Sequence, residues 1–489
     1  MLNEHIKLKA DLLVAGAGIS GMCTAISAAR KGLSVILIND RSVLGGNASS
    51  EIGVVIQGAS HHGLNPAIYA KENGIIEEIR LRLAHYYNQG GYGKYAVLDA
   101  VFFDMIYNEE NINLLLNTVV CECEMKDGLI DKVFAVHSVN SEKYEIKADI
   151  YVDATGNGTL AYEAGAEFMI GREGKDEFGE FWAPEKHDDF TMGNSIYFET
   201  EDTGKPCSFK APDFAYDISE MSFMKDINKP ENFGGLSCFG PHWAYEYGGQ
   251  VDILKDHNDI EFELRKLIYG IWDYIKNSGK FPQAETRVLK RVFAKAGSRE
   301  SRRFCGDYIL NENDIEKKIE FKDSVAIGGW PMDIHAPLGI YDSLPASNFV
   351  PVTGTYNIPF RCLYSRNVGN LMMAGRNISA THIALGSTRV MATCGAIGQA
   401  VGTAVYIAKK YDILPREIYE KHIEELQKIL VADDQTILNK NDKSVSWNVQ
   451  VTSEMEYENT EINEFITLDR DYAIALTPVT EKIEKYFSE

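Results

Sequence analysis

Three glycines near the amino terminus could hold a diphosphate group. They form the pattern Gly16-x-Gly18-x-x-Gly21, which follows the apolar run of residues 11–15 and opens a segment of small residues. The first glycine of such a pattern permits a tight turn, the second leaves room for phosphate, and the third lets a helix pack closely on the strand. The amino terminus of that helix adds unpaired N–H groups and positive potential. We therefore expect this turn to bind a dinucleotide.

Two further glycine-bearing turns follow apolar strands, at residues 154–158 and 374–376. A dehydrogenase that binds only NAD needs the first turn alone. FAD is long enough to contact all three, because its flavin end extends well beyond the diphosphate. Residues 44–51, LGGNASSE, follow the second apolar strand (residues 34–38) and offer backbone, hydroxyl and amide groups to phosphate or flavin. The spacing therefore favours FAD as the cofactor.

The densest charged cluster carries Arg299, Arg302, Arg303 and Glu300. These arginines could clamp an anion or assist proton transfer beside the flavin. Alternatively, they form ion pairs that anchor an inserted domain, and the sequence leaves both interpretations open.

Two histidines are candidates for acid–base chemistry. His335 lies between two prolines, which predicts a loop where it could act as a general base. His382 lies between the third glycine turn and a long helix of small residues, which predicts a position near the isoalloxazine ring. A structural histidine is the alternative for His335, and a helix cap is the alternative for His382.

Composition limits the remaining possibilities. The 489 residues include 71 Asp and Glu against 49 Lys and Arg, a net charge of −22, which argues against nucleic acid or an anionic membrane surface as a partner. No apolar run approaches the ~20 residues of a membrane span. The eight scattered cysteines and an amino terminus without an apolar signal core favour a reduced, cytoplasmic protein. No ligand spacing suggests a metal, and whether the chain forms a homo-oligomer stays open.

The pattern of apolar runs predicts an α/β fold. A Rossmann-like FAD-binding domain, with a parallel sheet and a β-meander, would be interrupted by an α+β substrate domain. Expected elements include a helix over 75–87, separate strands at 144–146 and 150–154, a helix over 390–409 and one amphipathic helix over 413–430. The predicted division is 1–164 and 361–435 for the FAD-binding domain, 165–360 for the insertion and 436–489 for a carboxyl-terminal appendage.

The order of these motifs resembles the FAD-dependent oxidoreductases of the glutathione-reductase-like fold. Within them, it is most similar to an FAD-dependent oxidoreductase family often found beside carbohydrate-processing genes. Three stretches carry the closer match: Ser298–Arg303 with Gly306–Leu310, Tyr356–Arg361, and Asn370–Thr403. The resemblance covers roughly residues 10–430. One departure is Asn39, which stands where an acidic residue would hold the adenosine ribose, with Asp40 following it.

The resemblance implies a role for each motif position. The diphosphate would be held by Gly16, Gly18 and Gly21 and flanked by Ala154, Thr155 and Gly156. The adenosine would meet Asn39 or Asp40 at its ribose and the Val119 backbone at its adenine. The phosphates and the ribityl–flavin junction would contact Gly45, Gly46, Asn47, Ser49, Gly375 and Arg376. Ser387, Arg389 and Val390 would open the last long helix beneath the flavin pyrimidine, where a helix dipole stabilises negative charge.

We therefore expect an FAD-dependent oxidoreductase that moves a hydride between flavin N5 and a small polar substrate, a carbohydrate or a hydroxy acid. His335 or His382 would transfer the proton, and Arg299 and Arg303 would orient the substrate. One alternative is a reductase of an activated C=C bond, with an arginine delivering the proton. Another is a flavin electron carrier or redox-responsive binding module. The sequence does not identify the external electron donor or acceptor.

Overall fold

The computed structural model describes residues 5–65, 67, 70–91, 93–219 and 244–437. The predicted appendage at residues 436–489 lies outside the described residues from 438 onward. Strands and helices are numbered along this described part.

The strands are β1 (Ile6–Ala15), β2 (Val35–Ile38), β3 (Ile112–Leu115), β4 (Thr118–Lys126), β5 (Leu129–His137), β6 (Lys143–Asp153), β7 (Phe168–Met169), β8 (Asn194–Ser195), β9 (Phe198–Asp202), β10 (Glu246–Tyr247), β11 (Arg287–Val292), β12 (Arg303–Phe304), β13 (Ser324–Gly328), β14 (Met332–His335), β15 (Ser347–Val350), β16 (Tyr356–Pro359) and β17 (Leu371–Met373). The helices are α1 (Ile19–Ala29), α2 (Ile75–Asn88), α3 (Lys94–Tyr107), α4 (Thr159–Glu163), α5 (Lys175–Phe178), α6 (His257–Asn277), α7 (Glu312–Glu316), α8 (His382–Thr388), α9 (Met391–Tyr411), α10 (Pro415–Lys421) and α11 (Ile423–Ala432).

A seven-stranded sheet forms the centre of the fold. Its order is β3-β2-β1-β6-β5-β4, and β17 also pairs with β6. The strands β3, β2, β1, β6 and β17 run parallel, whereas β4 and β5 are antiparallel to their neighbours. The apolar runs of β1 and β2 are buried on both faces, as parallel strands covered by helices require. This arrangement confirms the predicted Rossmann-like sheet with a β-meander.

Strand β6 joins the meander to the parallel sheet. Residues 143–146 pair with β5, and residues 151–153 of the same strand pair with β17. The prediction of two strands here is wrong, because the polar residues between the apolar runs continue in extended conformation beside β1. The carboxyl end of the long strand β6 therefore lies at the same edge of the sheet as the carboxyl end of β1.

Helix α9 packs directly on α1. A Cβ atom at Gly398 would lie 2.2 Å from the Ser20 carbonyl oxygen, and one at Gly402 would lie 2.3 Å from that of Thr24. The small residues of this stretch therefore bring two helix backbones into contact. Residues 413–430 form two helices, α10 and α11, rather than the single helix expected, since His422 leaves the helical conformation between them.

A second apolar core surrounds α6, and its members all lie between Ile196 and Ile340. However, Phe304, Val325 and Ile358, from the same predicted insertion, pack into the core of the central sheet. The insertion therefore shares part of the first core, and its proposed limits at 165 and 360 stay a prediction. The small antiparallel sheets beside α6 agree with the expected α+β character of this layer.

Helix α9 is long and apolar enough to cross a membrane by length and composition. However, 89% of its apolar window is buried inside the protein, and a core helix meets the same criterion. The criterion therefore does not distinguish α9 from a core helix.

Candidate cofactor and substrate site

The carboxyl ends of four parallel strands lie side by side. Ala15, the last residue of β1, pairs with Ile38 of β2 and with Asp153 of β6, and Met373 of β17 also pairs with Asp153. The turns after these strands line one crevice of about 380 Å³. Ligands of open α/β sheets bind at this edge. The inserted layer contributes His257, Lys295, Ala296 and Ser298 to the lining.

The three glycines of the first turn differ in their surroundings. Gly16 adopts a φ of +95°, which favours glycine. A Cβ atom at Gly21 would lie 1.9 Å from the Gly16 carbonyl oxygen, so Gly21 serves close packing and does not line the crevice. Gly18 lines the crevice, and the nearest atom to its Cβ position is the Gly46 Cα at 3.8 Å. The room expected for phosphate therefore lies at Gly18.

Two polar groups beside this turn fit a diphosphate. The Ser20 hydroxyl, in the first turn of α1, is buried and has no hydrogen-bond partner in the part of the chain that the structure describes, and Ser20 lines the crevice. The Arg376 guanidinium donates hydrogen bonds to Ser301 Oγ and Asn157 Oδ1, both uncharged acceptors. Burial lowers the pKa of Arg376 to about 10. Within the described residues no carboxylate pairs with Arg376, so an anion in the crevice would complete this site.

The side chain of Asn39, a candidate for the ribose contact, is hydrogen-bonded within the protein. Its Oδ1 accepts from the Ala17 N–H at 3.1 Å, and its Nδ2 donates to the carbonyls of Arg41 and Val43. The amide therefore holds the loop after β2. Both Asn39 and Asp40 line the crevice, the Asp40 side chain being 59% exposed, and the ribose contact stays a prediction for either residue.

Other adenosine and phosphate residues lie mostly as expected. Val119, Ala154, Thr155, Gly156, Gly45, Gly46, Asn47 and Gly375 all line the crevice. Ser49 does not, because it is fully buried behind the loop that begins at Gly45. The Asn47 Nδ2 donates to the Ser298 carbonyl at 2.9 Å and thereby joins this loop to the inserted layer.

The flavin-side prediction needs correction at two positions. Ser387 belongs to the short helix α8, and its hydroxyl bonds to the Trp330 carbonyl and the Tyr356 hydroxyl instead of facing the crevice. Val390 caps α9 but does not line the crevice. Arg389 does line it, together with Met391 and Cys394 from the first turns of α9. Burial raises the pKa of the Cys394 thiol to about 12, so this cysteine stays a neutral thiol near pH 7.

Comparison with known proteins decides the family. A sequence model of FAD-dependent oxidoreductases matches residues 11–430. The chain belongs to this family. FAD is therefore its cofactor, which agrees with the glycine turns, Ser20 and the buried Arg376. No curated protein matches the chain.

Solved structures with similar folds include several flavin enzymes. A geranylgeranyl bacteriochlorophyll reductase-like protein from Thermoplasma acidophilum is 12% identical over 88% of this chain and 85% of its own, with a TM-score of 0.38. The myxobacterial chondrochloren halogenase is 13% identical over 89% and 84%, with a TM-score of 0.39. A mutant E. coli quinol fumarate reductase is 12% identical over 87% and 75%, with a TM-score of 0.33.

His335 of the oxidoreductase lies in a buried ionic network. The expected loop position is wrong, because His335 ends strand β14. Its Nδ1 lies 2.5 Å from Glu246 Oε2, and its Nε2 lies 3.0 Å from both Asp333 Oδ2 and Arg389 Nη2. Arg389 also donates to Asp333 at 2.6 Å, and Arg299 lies 3.6 Å from Glu246. Both ring nitrogens of His335 are therefore engaged.

The two carboxylates of this network are ionised. Burial opposes ionisation of Glu246, but Arg299 and His335 outweigh it and lower its pKa. Burial also opposes ionisation of Asp333, but its charged neighbours outweigh burial and hold its pKa well below its usual range. With two arginines against two carboxylates, the network is electrically balanced when His335 is neutral.

His382 lies in a second buried network. It begins α8, its Nδ1 lies 2.9 Å from Glu300 Oε2, and its backbone N–H donates to Glu173 at 2.8 Å. Arg303, fully buried, pairs with both Glu300 and Glu173. Burial opposes ionisation of Glu300, whereas His382 and Arg303 lower its pKa. The Nε2 of His382 is buried with no hydrogen-bond partner among the described residues, and neither His335 nor His382 lines the crevice.

Another carboxylate lies beside this second network. Glu180 Oε1 accepts hydrogen bonds from the hydroxyl of Thr381, the residue before His382, and from the Glu312 N–H. Burial, with smaller contributions from Glu173 and Glu312, raises the pKa of Glu180 to about 7. The second network is thus rich in carboxylates.

Sequence reasoning missed most of the carboxylates in both networks. Glu246 and Glu173 stand far along the chain from the histidines, and nothing in their neighbourhoods marks them. Asp333 could have been found, since residues two apart on a strand lie on one face and Asp333 stands two before His335. Among the described residues, no three His, Cys, Asp or Glu side chains are grouped as a metal site requires.

Proposed function

We propose that this oxidoreductase dehydrogenates a neutral polyhydroxylated substrate, of the carbohydrate or polyol class, at the end of the crevice beside Arg389. The observation that carries this proposal is the pairing of its arginines. Arg299, Arg303 and Arg389 each lie within 4 Å of a buried carboxylate. They are already neutralised before any substrate binds.

A substrate anion would have to compete with these carboxylates. Breaking a buried ion pair leaves an uncompensated charge and costs about 3–5 kcal/mol. Hydroxy acids and enoates therefore gain little at Arg299 or Arg303. A neutral substrate does not need to displace these carboxylates, and its hydroxyl groups can both donate and accept hydrogen bonds.

His382 is the better candidate for the general base. Its Nδ1–H donates to Glu300, which leaves the Nε2 lone pair as the proton acceptor. Glu300 and Glu173 then stabilise the positive charge that the ring gains, as a carboxylate does for a catalytic histidine. His335 has no such free lone pair, so we assign it a positioning role.

Bound FAD supplies the acceptor for a hydride from the substrate carbon. The hydroxyl proton of the same carbinol passes to His382 Nε2, and the carbinol becomes a carbonyl. The flanking Gly18, Ser20 and Arg376 bind the diphosphate, whereas the first turns of α9 give positive potential at the flavin end.

An anaerobic reductive half-reaction tests the proposal. FAD-loaded protein is mixed with neutral sugars and polyols, and in separate samples with hydroxy acids, while the flavin absorbance is followed. Neutral substrates are expected to bleach the flavin, and His382→Gln should slow this step. His422→Gln, a histidine stacked on Tyr411 at the surface, is the matched control.

Other outcomes would replace the proposal. Reduction by hydroxy acids alone would show that the ion pairs open for an anion. Reoxidation of photoreduced protein by an enoate, without reduction by any polyol, would support the C=C reductase. Reduction only by a protein partner, with no small-molecule turnover, would support an electron carrier.

A further inference from the structure

Arg389 connects the cofactor crevice to the network around His335. It lines the crevice, while its Nη2 contacts Asp333 Oδ2 at 2.6 Å and His335 Nε2 at 3.0 Å. Its Nε is buried without a hydrogen-bond partner in the described chain. One edge of the guanidinium is therefore held by the network, and the Nε–H remains available to a bound group.

The contact between Arg389 and His335 restricts the ring proton. Arginine has only N–H donors, so His335 Nε2 can bond to it only as an acceptor. A bond from Arg389 therefore requires the ring proton on Nδ1, which faces Glu246 Oε2 at 2.5 Å. A proton on Nε2 would instead donate to Asp333 Oδ2 at 3.0 Å. That opposite tautomer would place the Nδ1 lone pair against the Glu246 carboxylate and an Nε2–H against an N–H of Arg389. The shorter contact, at Nδ1, therefore favours the proton on Nδ1.

We propose that Glu246 is a positioning residue that selects the Nδ1–H tautomer of His335 and thereby holds Arg389 at the cofactor crevice. The carboxylate of Glu246 can only accept, so it favours a proton on Nδ1. The neutral ring then accepts from Arg389. Glu246, in the inserted layer, therefore orients His335 at the end of β14. His335 in turn holds Arg389, which lies in the turn before α9.

The net charge of the network around His335 also favours a neutral ring with its proton on Nδ1. Glu246 and Asp333 balance Arg299 and Arg389, so a neutral ring leaves the buried network without net charge. Asp333 fixes the Arg389 Nη2 from the other side, and Ser347 donates to Asp333. This inference needs only the FAD crevice and does not depend on the proposed substrate.

The tautomer can be measured directly in the FAD-loaded wild-type protein. Histidine is labelled with ¹⁵N, and the His335 signals are assigned by their loss in His335→Gln. We expect a protonated Nδ1 and an unprotonated Nε2. A protonated Nε2, alone or together with Nδ1, overturns the proposal, and this measurement requires no variant of Glu246.

Glu246→Gln tests the effect on the cofactor. The amide can turn an N–H towards His335, so the tautomer preference weakens and Arg389 loses one of its two acceptors, while Asp333 remains. FAD binding, measured by fluorescence titration, should weaken about tenfold, the loss of one hydrogen bond to a charged group. The visible spectrum of the bound flavin should shift as well.

Asp323→Asn is the matched control. Asp323 is also fully buried and pairs with an arginine, Arg361, but neither residue lines the crevice. This variant should lose stability while keeping the wild-type FAD affinity and flavin spectrum. Equal changes in both variants, or an unchanged affinity and spectrum in Glu246→Gln, would show that Glu246 is merely structural.

Discussion

The two buried histidine networks contain the same residue types, but they differ in how many hydrogen-bond partners they give the histidine ring. Around His335, Glu246, Asp333 and Arg389 engage both ring nitrogens, and Arg299 pairs with Glu246. Around His382, Glu300 and Glu173 face a single arginine, and the ring keeps one nitrogen without a partner. The first arrangement engages both ring nitrogens, whereas the second leaves the His382 Nε2 without a partner among the described residues, which is why we propose His382 as the general base.

The difference shows that burial alone does not identify a general base. Both rings are almost completely buried, at 3% and 1% exposure for His335 and His382. Helix α8 and strand β14 even pack against each other, since a Cβ at Gly386 would lie 2.9 Å from the Asp333 nitrogen. What separates the two rings is the number of hydrogen-bond partners that the surrounding elements supply.

Exchanging each histidine for glutamine is the strongest test of this comparison. His382→Gln should slow flavin reduction by about 10²–10⁴-fold, because the proton acceptor is lost. His335→Gln should lower the rate by roughly tenfold at most, through a displaced Arg389. Stopped-flow absorbance measures both rates, and flavin content and thermal unfolding confirm folding. Equal effects of the two variants would contradict the assigned roles.

Replacing Arg303 probes the carboxylate-rich network. Arg303→Met leaves Glu300 and Glu173 without their cation, and the free energy of unfolding should fall by about 3–5 kcal/mol. Urea unfolding followed by circular dichroism measures it. The exposed pair Arg416–Asp307 is the control, where Arg416→Met should change the unfolding free energy by about 1 kcal/mol or less. A loss no larger than this in Arg303→Met would mean that solvent reaches the second network.

The raised pKa of Glu180 predicts a pH dependence of stability. The folded state keeps its proton up to about pH 7, whereas the unfolded chain releases it near about pH 4.3. The contribution of Glu180 to the free energy of unfolding is therefore complete below about pH 4.3 and is lost as the pH rises towards 7. Glu180→Gln should raise the unfolding free energy at pH 8 by about 3 kcal/mol relative to wild type and have little effect at pH 4.

Urea unfolding of the wild type and of Glu180→Gln across this pH range measures the effect. Glu246, whose pKa is lowered, has the opposite sign: its contribution is present above about pH 4.3 and lost in stronger acid. A pH-independent difference between wild type and Glu180→Gln would show that Glu180 is ionised in the folded protein.

The smallest expected effect concerns the cap that places His382. Thr381 Oγ1 accepts from the Ala384 N–H at the start of α8 and donates to Glu180. Thr381→Ala should lower the unfolding free energy by about 1 kcal/mol. Thr381→Ser keeps the hydroxyl and is the control. Wild-type stability in Thr381→Ala would show that the cap does not hold His382.

Local patterns predicted much of the fold and of the cofactor crevice. The strand β1, the turn at Gly16 and the helix α1 were expected from contiguous residues, and the structure has them. The secondary-structure predictions were wrong where the pattern of apolar residues was ambiguous. Polar residues inside β6 suggested two strands, and the break at His422 between α10 and α11 was not predicted. Ser387 was misplaced because a helix break at Arg389 separates α8 from α9.

The sequence by itself determined the cofactor, because a phosphate-binding turn is built from adjacent residues whose backbone conformation depends on local side chains. Only the tertiary structure decided which histidine is engaged and which arginines are neutralised. Glu246 meets His335 across 89 positions of the chain, and Glu300 meets His382 across 82. Such ion pairs depend on how buried elements pack, since a charge taken out of water pairs with whichever opposite charge the fold brings to it.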